Sequence, residues 1–309
     1  MTERDIPAMN RLFSDSFTDR YRRDGLVGVR VPFLNDAIWR YAIADAGDGA
    51  MAWRDEADRL VAFNIAHRSG TEAWMGPLCV RPDRQLAGLG KEVVMAAIDW
   101  LKARDAATIG LETMPRTVDN IGFYSRLGFI PGNLTLTMTI ETVARGPREG
   151  EAALLGDLDP PRRAERVAEI GRLVELLAPG YDFRREIELT LDLALGDVVT
   201  VEQGGALAAF VLCHATPLAE GGGRDEVRVL KAAAVDEQAL LAALGVAGAW
   251  AHRCGSRRLA IRCQSSYGDV YRTLIGRGFR VRWSDLRMTL DGYPERRPER
   301  GILWSNWEI

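Results

Sequence analysis

The sequence predicts a mixed α/β fold, built twice along one chain. Amphipathic helical stretches alternate with short strand-like runs, the pattern of α/β architecture. The order helix, helix, strands, helix, strand, helix, strands occupies residues 5–140 and recurs beyond residue 157. The two runs also align without gaps at an offset of 150 residues. Trp100 falls on Trp250, Asp119 on Asp269, Gly128-Phe129 on Gly278-Phe279, Leu136 on Leu286, and Met138-Thr139 on Met288-Thr289. One shared dipeptide is chance; an ordered set in a single register marks a duplicated domain. The length, 309 residues, suits two domains of roughly 150 residues each. The expected boundaries are a first domain over 1–143, a linker over 144–156, a second domain over 157–295 and a tail over 296–309. Each half should hold a central, mostly antiparallel sheet flanked by helices.

Residues 5–17 place Ile6, Met9, Leu12, Phe13 and Phe17 on one helical face, with Pro7 tolerated in the first turn. A second amphipathic stretch covers 35–43. Residues 50–53, 60–67 and 73–80 read as strands of an antiparallel meander, with turns at 55–59 and 69–72. A glycine-bearing turn at 85–90 leads into a helix over 91–104, apolar at Val93, Val94, Ala97, Ile98 and Leu101. A strand over 108–113, a helix over 119–127 ending at Gly128, and strands near Phe129 and over 134–140 close the unit. Ala144 to Pro161 reads as linker, with one short strand within 151–155. Helices follow over 162–177 and 183–195, then strands over 198–202, 207–215 and 227–235. A helix over 238–253, a strand over 258–263, a helix over 269–276 and final strands complete the second half. Residues 302–309 are too apolar for a frayed end and are expected to dock on the first domain as an edge strand.

Composition excludes several classes. Apolar residues make up 47% and charged residues 27%, which argues against disorder and against a small disulfide scaffold. No run approaches the roughly 18 apolar residues needed to span a bilayer. The start, Met-Thr-Glu-Arg-Asp, lacks the apolar core of a signal peptide, so a cytoplasmic location is expected. A net charge of −3 offers no electrostatic case for nucleic acid or membrane as partners. Cys79, Cys213, Cys254 and Cys263 form no Cys-x-x-Cys pair, and with three histidines no metal constellation is expected.

The chemically informative stretch is Leu78-Cys79-Val80-Arg-Pro82-Asp-Arg-Gln85-Leu86-Ala87-Gly88-Leu89-Gly90-Lys91, which joins a strand to a helix through glycines. Glycine lets a ligand approach the backbone, and the N–H groups at a helix start favour phosphate. There is no Gly-x-Gly-x-x-Gly and no Gly-Lys-Ser/Thr, so dinucleotide and P-loop readings fail. Gln85-x-x-Gly88-x-Gly90, with Val80 and Pro82 upstream, instead resembles the acyl-CoA-binding motif of the GCN5-related N-acetyltransferase (GNAT) superfamily. Downstream, Leu111-Glu-Thr113 resembles that family's next strand, and Tyr124-x-x-x-Gly128-Phe129 resembles the signature that closes its core. The resemblance covers about residues 5–140. It departs from the family pattern at Thr117, where asparagine is usual, and at Leu86, where glycine is usual. Asn120 lies one helical turn after Thr117 and is its substitute candidate.

The resemblance implies acetyl-CoA as co-substrate and a primary amine of a small molecule or peptide as acceptor, acetylated by direct attack. Backbone N–H groups from Gln85 to Lys91 would hold the pyrophosphate, and Leu78 to Val80 would pair with the pantetheine arm. Pro77 fits a ladder that splays two strands apart. Thr117 and Asn120 would complete the cofactor contacts. Tyr124 is the candidate general acid, protonating the departing thiolate. Glu112 and Glu72 are candidate bases, with His67 a third. Cys79 reads as a buried thiol rather than a nucleophile. Tyr21, Phe33, Trp39, Trp53 and Trp74 are candidates for the acceptor pocket. At the 150-residue offset Gln85 maps to Val235, Gly88 to Gln238, Gly90 to Leu240 and Tyr124 to Leu274. The second copy is therefore expected to keep the fold without the cofactor site. It could shape the acceptor pocket or hold a homodimer. A non-catalytic acyl-CoA sensor is the alternative to an enzyme.

Overall fold

Apolar spacing sets the first layer. In the computed structural model, which describes residues 1–144 and 152–308, α1 (Ile6–Arg23) buries Ile6, Met9 and Leu12. It is longer than the apolar pattern predicts because its buried face continues in hydroxyls. Ser14 donates to Val31 O, Thr18 accepts from Val31 N, and Ser16 donates to Val80 O. α2 (Asp36–Ala46) starts at Asn35, whose side chain accepts from Ala37 N as an N-cap. The meander follows as β1 (Ala50–Arg54), β2 (Leu60–Ser69) and β3 (Glu72–Val80). α3 (Leu89–Lys102) packs Val93, Val94, Ala97, Ile98 and Leu101 onto the sheet, the Val, Ile and Leu side chains each contributing roughly 1.5–3 kcal/mol when fully buried. β4 (Thr108–Thr113), α4 (Val118–Arg126) and β5 (Phe129–Glu141) end the first half. β5 is one strand, where two were expected near Phe129 and over 134–140; its ladder steps over Gly132 and Asn133 as a bulge.

The second half repeats the order after β6 (Ala152–Leu154): α5 (Pro160–Leu177), α6 (Arg184–Asp192), β7 (Gly196–Gln203), β8 (Ala206–His214), β9 (Glu226–Ala234), α7 (Glu237–Arg253), β10 (Arg258–Gln264), α8 (Gly268–Gly276) and β11 (Arg280–Leu290). β12 (Ile302–Ser305) follows. The expected linker falls partly on residues 145–151, outside the described residues.

The twelve strands of the described residues join one sheet, in the order β1-β2-β3-β4-β11-β5-β10-β9-β8-β7-β6, with β12 attached to β9. The sequence predicts a sheet per half; the closing strands are instead exchanged. β11 pairs with β4, and β5 pairs with β10. The two exchanged strands pair with each other, and Thr135 faces Asp285, its own counterpart at the 150-residue offset. A pseudo-twofold axis therefore crosses the sheet at that rung.

Both halves contain a parallel pair that opens into a wedge. β3 and β4 pair only from Glu72–Thr108 to Trp74–Gly110, and β9 and β10 only from Glu226–Arg258 to Arg228–Ala260. In the second half β12 fills the opening, running antiparallel to β9 from Ile302–Ala234 to Ser305–Lys231. The tail thus reaches the first domain, through Ser305 and Trp307 on Glu72, but not as the expected edge strand. It adds no edge to the first domain, because the free ladder groups it satisfies are those of β9 where β10 diverges.

Candidate active site

The strand-to-helix turn between β3 and α3 is built by two left-handed residues. Leu86 has φ 65° and Gly88, the N-cap of α3, has φ 88°. A Cβ on Gly88 would meet nothing within 4 Å, so that side of the loop is open. Leu86 is fully exposed, and Gln85 folds the loop back by donating from Nε2 to Val80 O at 3.0 Å. Among the described residues, no hydrogen bond within the chain uses the N–H groups of Leu86, Ala87, Gly88, Leu89, Gly90 or Lys91. No side chain caps α3. A row of unsatisfied donors at a helix N-terminus is a ready anion cradle.

The cradle faces the open end of the wedge. Leu78, Cys79 and Val80 lie on the part of β3 that has left β4. Cys79 is buried, and burial pushes its thiol well above the ordinary range, so it stays protonated and inert. Tyr124 on α4 is half-buried, with its ring 6.0 Å from that of Phe129. Burial, with a contribution from Cys79, raises its phenol to about 12, which keeps the proton on at neutral pH. Thr117 is fully buried, and its hydroxyl donates to Asp24 at 2.6 Å. That leaves Asn120, half-buried on the first turn of α4, as the more open of the two.

The expected bases are closed. Glu112 accepts from Arg287 Nε at 2.8 Å and from Thr135 at 2.6 Å, and pairs with Arg262. Burial alone would raise this carboxyl, but the charges of Arg262 and Arg287 outweigh it and hold it below the ordinary range. Glu72 is buried and accepts from Trp307 Nε1 at 2.8 Å and Ser305 Oγ at 2.6 Å. His67 is buried too, with Nδ1 2.6 Å from Asp45 and its ring stacked on Trp74. Of the aromatic candidates, Trp39 and Trp74 are core, and Trp53 is bonded to Glu92. Tyr21 alone senses the charged cluster: burial, then Asp285 and Glu308, raises its phenol.

Residues from the second half enter this face, which sequence reasoning missed. Arg262 pairs with Glu112, with Asp285 at 3.1 Å and with Glu308 at 2.7 Å. The Arg287 guanidinium stacks 4.0 Å from the Trp307 ring, which in turn covers Gly110. One signal was available. Glu112 and Arg262 stand 150 residues apart, so the duplicated position changed charge and became its own partner.

The second copy's turn is different in kind. β9 ends at Ala234 and α7 begins at Glu237, leaving Val235 and Asp236 to span what residues 81–88 span in the first half. The Asp236 carboxylate caps α7 by accepting from Ala239 N at 2.8 Å. A carboxylate holds the helix N-terminus where a phosphate would bind.

The acetyltransferase (GNAT) family matches residues 7–129, the span that holds the cradle and the wedge. Residues 7–129 are a GNAT domain. A 72-residue stretch is 36% identical to the [ribosomal protein bS18]-alanine N-acetyltransferase of Salmonella typhimurium, covering 23% of this chain and 49% of that protein. The chain thus matches about half the length of that curated relative. The fold of both halves together is also found elsewhere. A candidate acetyltransferase of Pyrococcus horikoshii superposes with a TM-score of 0.69 at 17% identity, covering 99% of this chain and 92% of that one. A tandem GNAT protein from the clavulanic acid biosynthesis pathway superposes at 0.56 with 13% identity, over 94% and 98%. The N-myristoyltransferase of Saccharomyces cerevisiae, with bound myristoyl-CoA, gives 0.64 at 13%, over 96% and 82%. Around the GNAT domain, no helix among the described residues is long and apolar enough to cross a membrane.

Proposed function

We propose that this chain is an N-acetyltransferase that moves an acetyl group from acetyl-CoA to a primary amine of a small molecule or peptide, in a ternary complex. One observation carries the reading: among the described residues, only the first half combines an open wedge with a helix N-terminus whose donors are unsatisfied. In the second half β12 and Asp236 fill both places. Residues 1–143 are then the catalytic copy, and 157–295 a support that supplies Arg262, Asp285 and Arg287 to the acceptor face.

The donor's pyrophosphate would lie on the N–H groups of Leu86 to Lys91, where the helix dipole favours negative charge. Its pantetheine arm would lie along Leu78 to Val80 as an added strand, on the side that β4 has left; the Val80 carbonyl is already taken by Ser16 and Gln85. An N–H of this strand would polarise the thioester carbonyl. Tyr124, protonated at neutral pH, would give its proton to the departing sulfur.

Titration calorimetry with acetyl-CoA should give one site per chain. Release of CoA across a panel of amines should show turnover. Gly88→Trp places an indole in the cradle and should abolish binding. Intact binding in that variant refutes the site; binding without turnover on any amine returns the sensor reading.

A further inference from the structure

We infer that Glu308 is the base that takes the proton from the acceptor's ammonium, a role that rests on the acetyltransferase reading of the wedge. The path of the tail places it. β12 leads the chain to Trp307, whose indole covers Gly110, the last β4 residue still paired with β3. The wedge opens just beyond Gly110. The next residue of the tail, Glu308, therefore emerges at the mouth of the wedge, on the sheet face that carries Glu112. The shared guanidinium fixes this position: Arg262 pairs with Glu112 through Nη2 and with Glu308 Oε2 through Nη1, at 2.7 Å for the latter.

Accessibility separates the three carboxylates gathered on Arg262. The side chains of Glu112 and Asp285 are 1% and 4% exposed; that of Glu308 is 46% exposed. Glu308 alone of the three can meet an incoming amine and return a proton to water. Its ionisation suits the task. Partial burial, ahead of the charges of Asp285 on β11 and Glu112 on β4, pushes its carboxyl up to about 7, against Arg262 on β10 and Arg228 on β9. Tyr21 on α1 also feels the Glu308 charge. A base whose pKa lies near the working pH is the efficient kind.

The step balances as follows. Glu308 removes one proton from the ammonium, and the freed nitrogen lone pair forms the C–N bond to the acetyl carbon. The C–S bond breaks onto sulfur, which takes the Tyr124 proton. The second proton shed by nitrogen restores Tyr124 through water, and Glu308 releases its proton to solvent. The products are the acetamide, CoA thiol and one proton.

The test is the pH profile of kcat/KM for wild type, Glu308→Gln and Glu308→Ala, with acetyl-CoA affinity measured in parallel. Wild type should lose activity as pH falls through about 7. Both variants should bind acetyl-CoA normally, lose at least about 10²-fold in kcat/KM and lose that acidic limb. Added formate should restore part of the Glu308→Ala rate, which a structural role would not permit. A wild-type-like rate and limb in Glu308→Gln, or a lowered rate with the limb intact and no formate rescue in Glu308→Ala, overturns the role and leaves the acetyltransferase reading standing. Acetyl-CoA binding with no turnover in wild type overturns both.

Discussion

Trp307 is the joint between the two copies, and its loss should be read in two variants rather than one. The side chain is 1% exposed, stacks under Arg287, donates to Glu72 and packs on the bare Cα of Gly110. Trp307→Ala removes a buried aromatic, a change that costs about 3–5 kcal/mol. It also deprives the buried Glu72 carboxylate of a donor, adding about 1–3 kcal/mol. The expected loss is about 4–8 kcal/mol by urea denaturation. Gly110→Ala approaches the same contact from below. Its Cβ would lie 2.2 Å from the indole, so the ring must move, at about 1–3 kcal/mol of overpacking. In the double variant the indole is gone and the new methyl enters empty space. The two losses should therefore fail to add, by at least about 1 kcal/mol. Additive losses, or a Trp307→Ala loss under about 1 kcal/mol, would mean that the tail merely lies on the first domain.

Three further expectations follow from single side chains. Tyr124→Phe keeps the ring against Phe129 but removes the acid; kcat should fall roughly 10-fold or more with acetyl-CoA affinity unchanged, and an unaltered kcat assigns Tyr124 to packing. Asp236→Ala removes the cap of α7 and should cost about 1 kcal/mol in thermal or urea unfolding without affecting acetyl-CoA binding. Burial raises the Glu186 carboxyl to about 8, against the pull of Lys231. A raised acid favours the protonated folded state, so its contribution is complete below the ordinary carboxyl range and is lost as pH rises toward 8. Glu186→Gln should therefore raise Tm relative to wild type more at pH 8.5 than at pH 5; equal differences at the two pH values would refute this assignment.

Local elements were legible because local forces set them. The apolar spacing of Val93, Val94, Ala97, Ile98 and Leu101 defines α3, and Gly88 as N-cap moves its start two residues ahead of the expected Lys91. The glycine turn was readable because left-handed backbone leaves a mark in the sequence. The strand exchange left none. β5 and β11 are near-equivalent in pattern, and nothing in either says which copy of β4 or β10 it will join. The choice is made by long-range pairs such as Arg287 with Glu112 and Arg262 with Glu112, which no periodicity encodes. The same holds for the expected bases. Glu112 and Glu72 have the residue type for proton transfer, but their availability depends on arginines and a tail contributed from about 150 or more residues away.

The ungapped offset also concealed how the second copy came to lack a cradle. By sequence it looked like substitution, with Val235, Gln238 and Leu240 standing in for Gln85, Gly88 and Gly90. The ladders say otherwise. Glu72 corresponds to Glu226, an offset of 154, whereas Thr108 corresponds to Arg258, an offset of 150. The second copy is therefore shorter between these strands, and the shortening falls on the turn, where Val235 and Asp236 replace residues 81–88. Deleting the loop removes the donors that phosphate needs, and Asp236 then neutralises the exposed helix end. The wedge beside it leaves part of the β9 ladder unpaired by β10, and β12 completes it. That is why the tail lies where it does: β12 completes the ladder of β9, and from there Trp307 and Glu308 reach Gly110 and the Glu112–Arg262 pair. A chain truncated after Gly301 should consequently lose stability in the second half and turnover in the first, by one and the same cut.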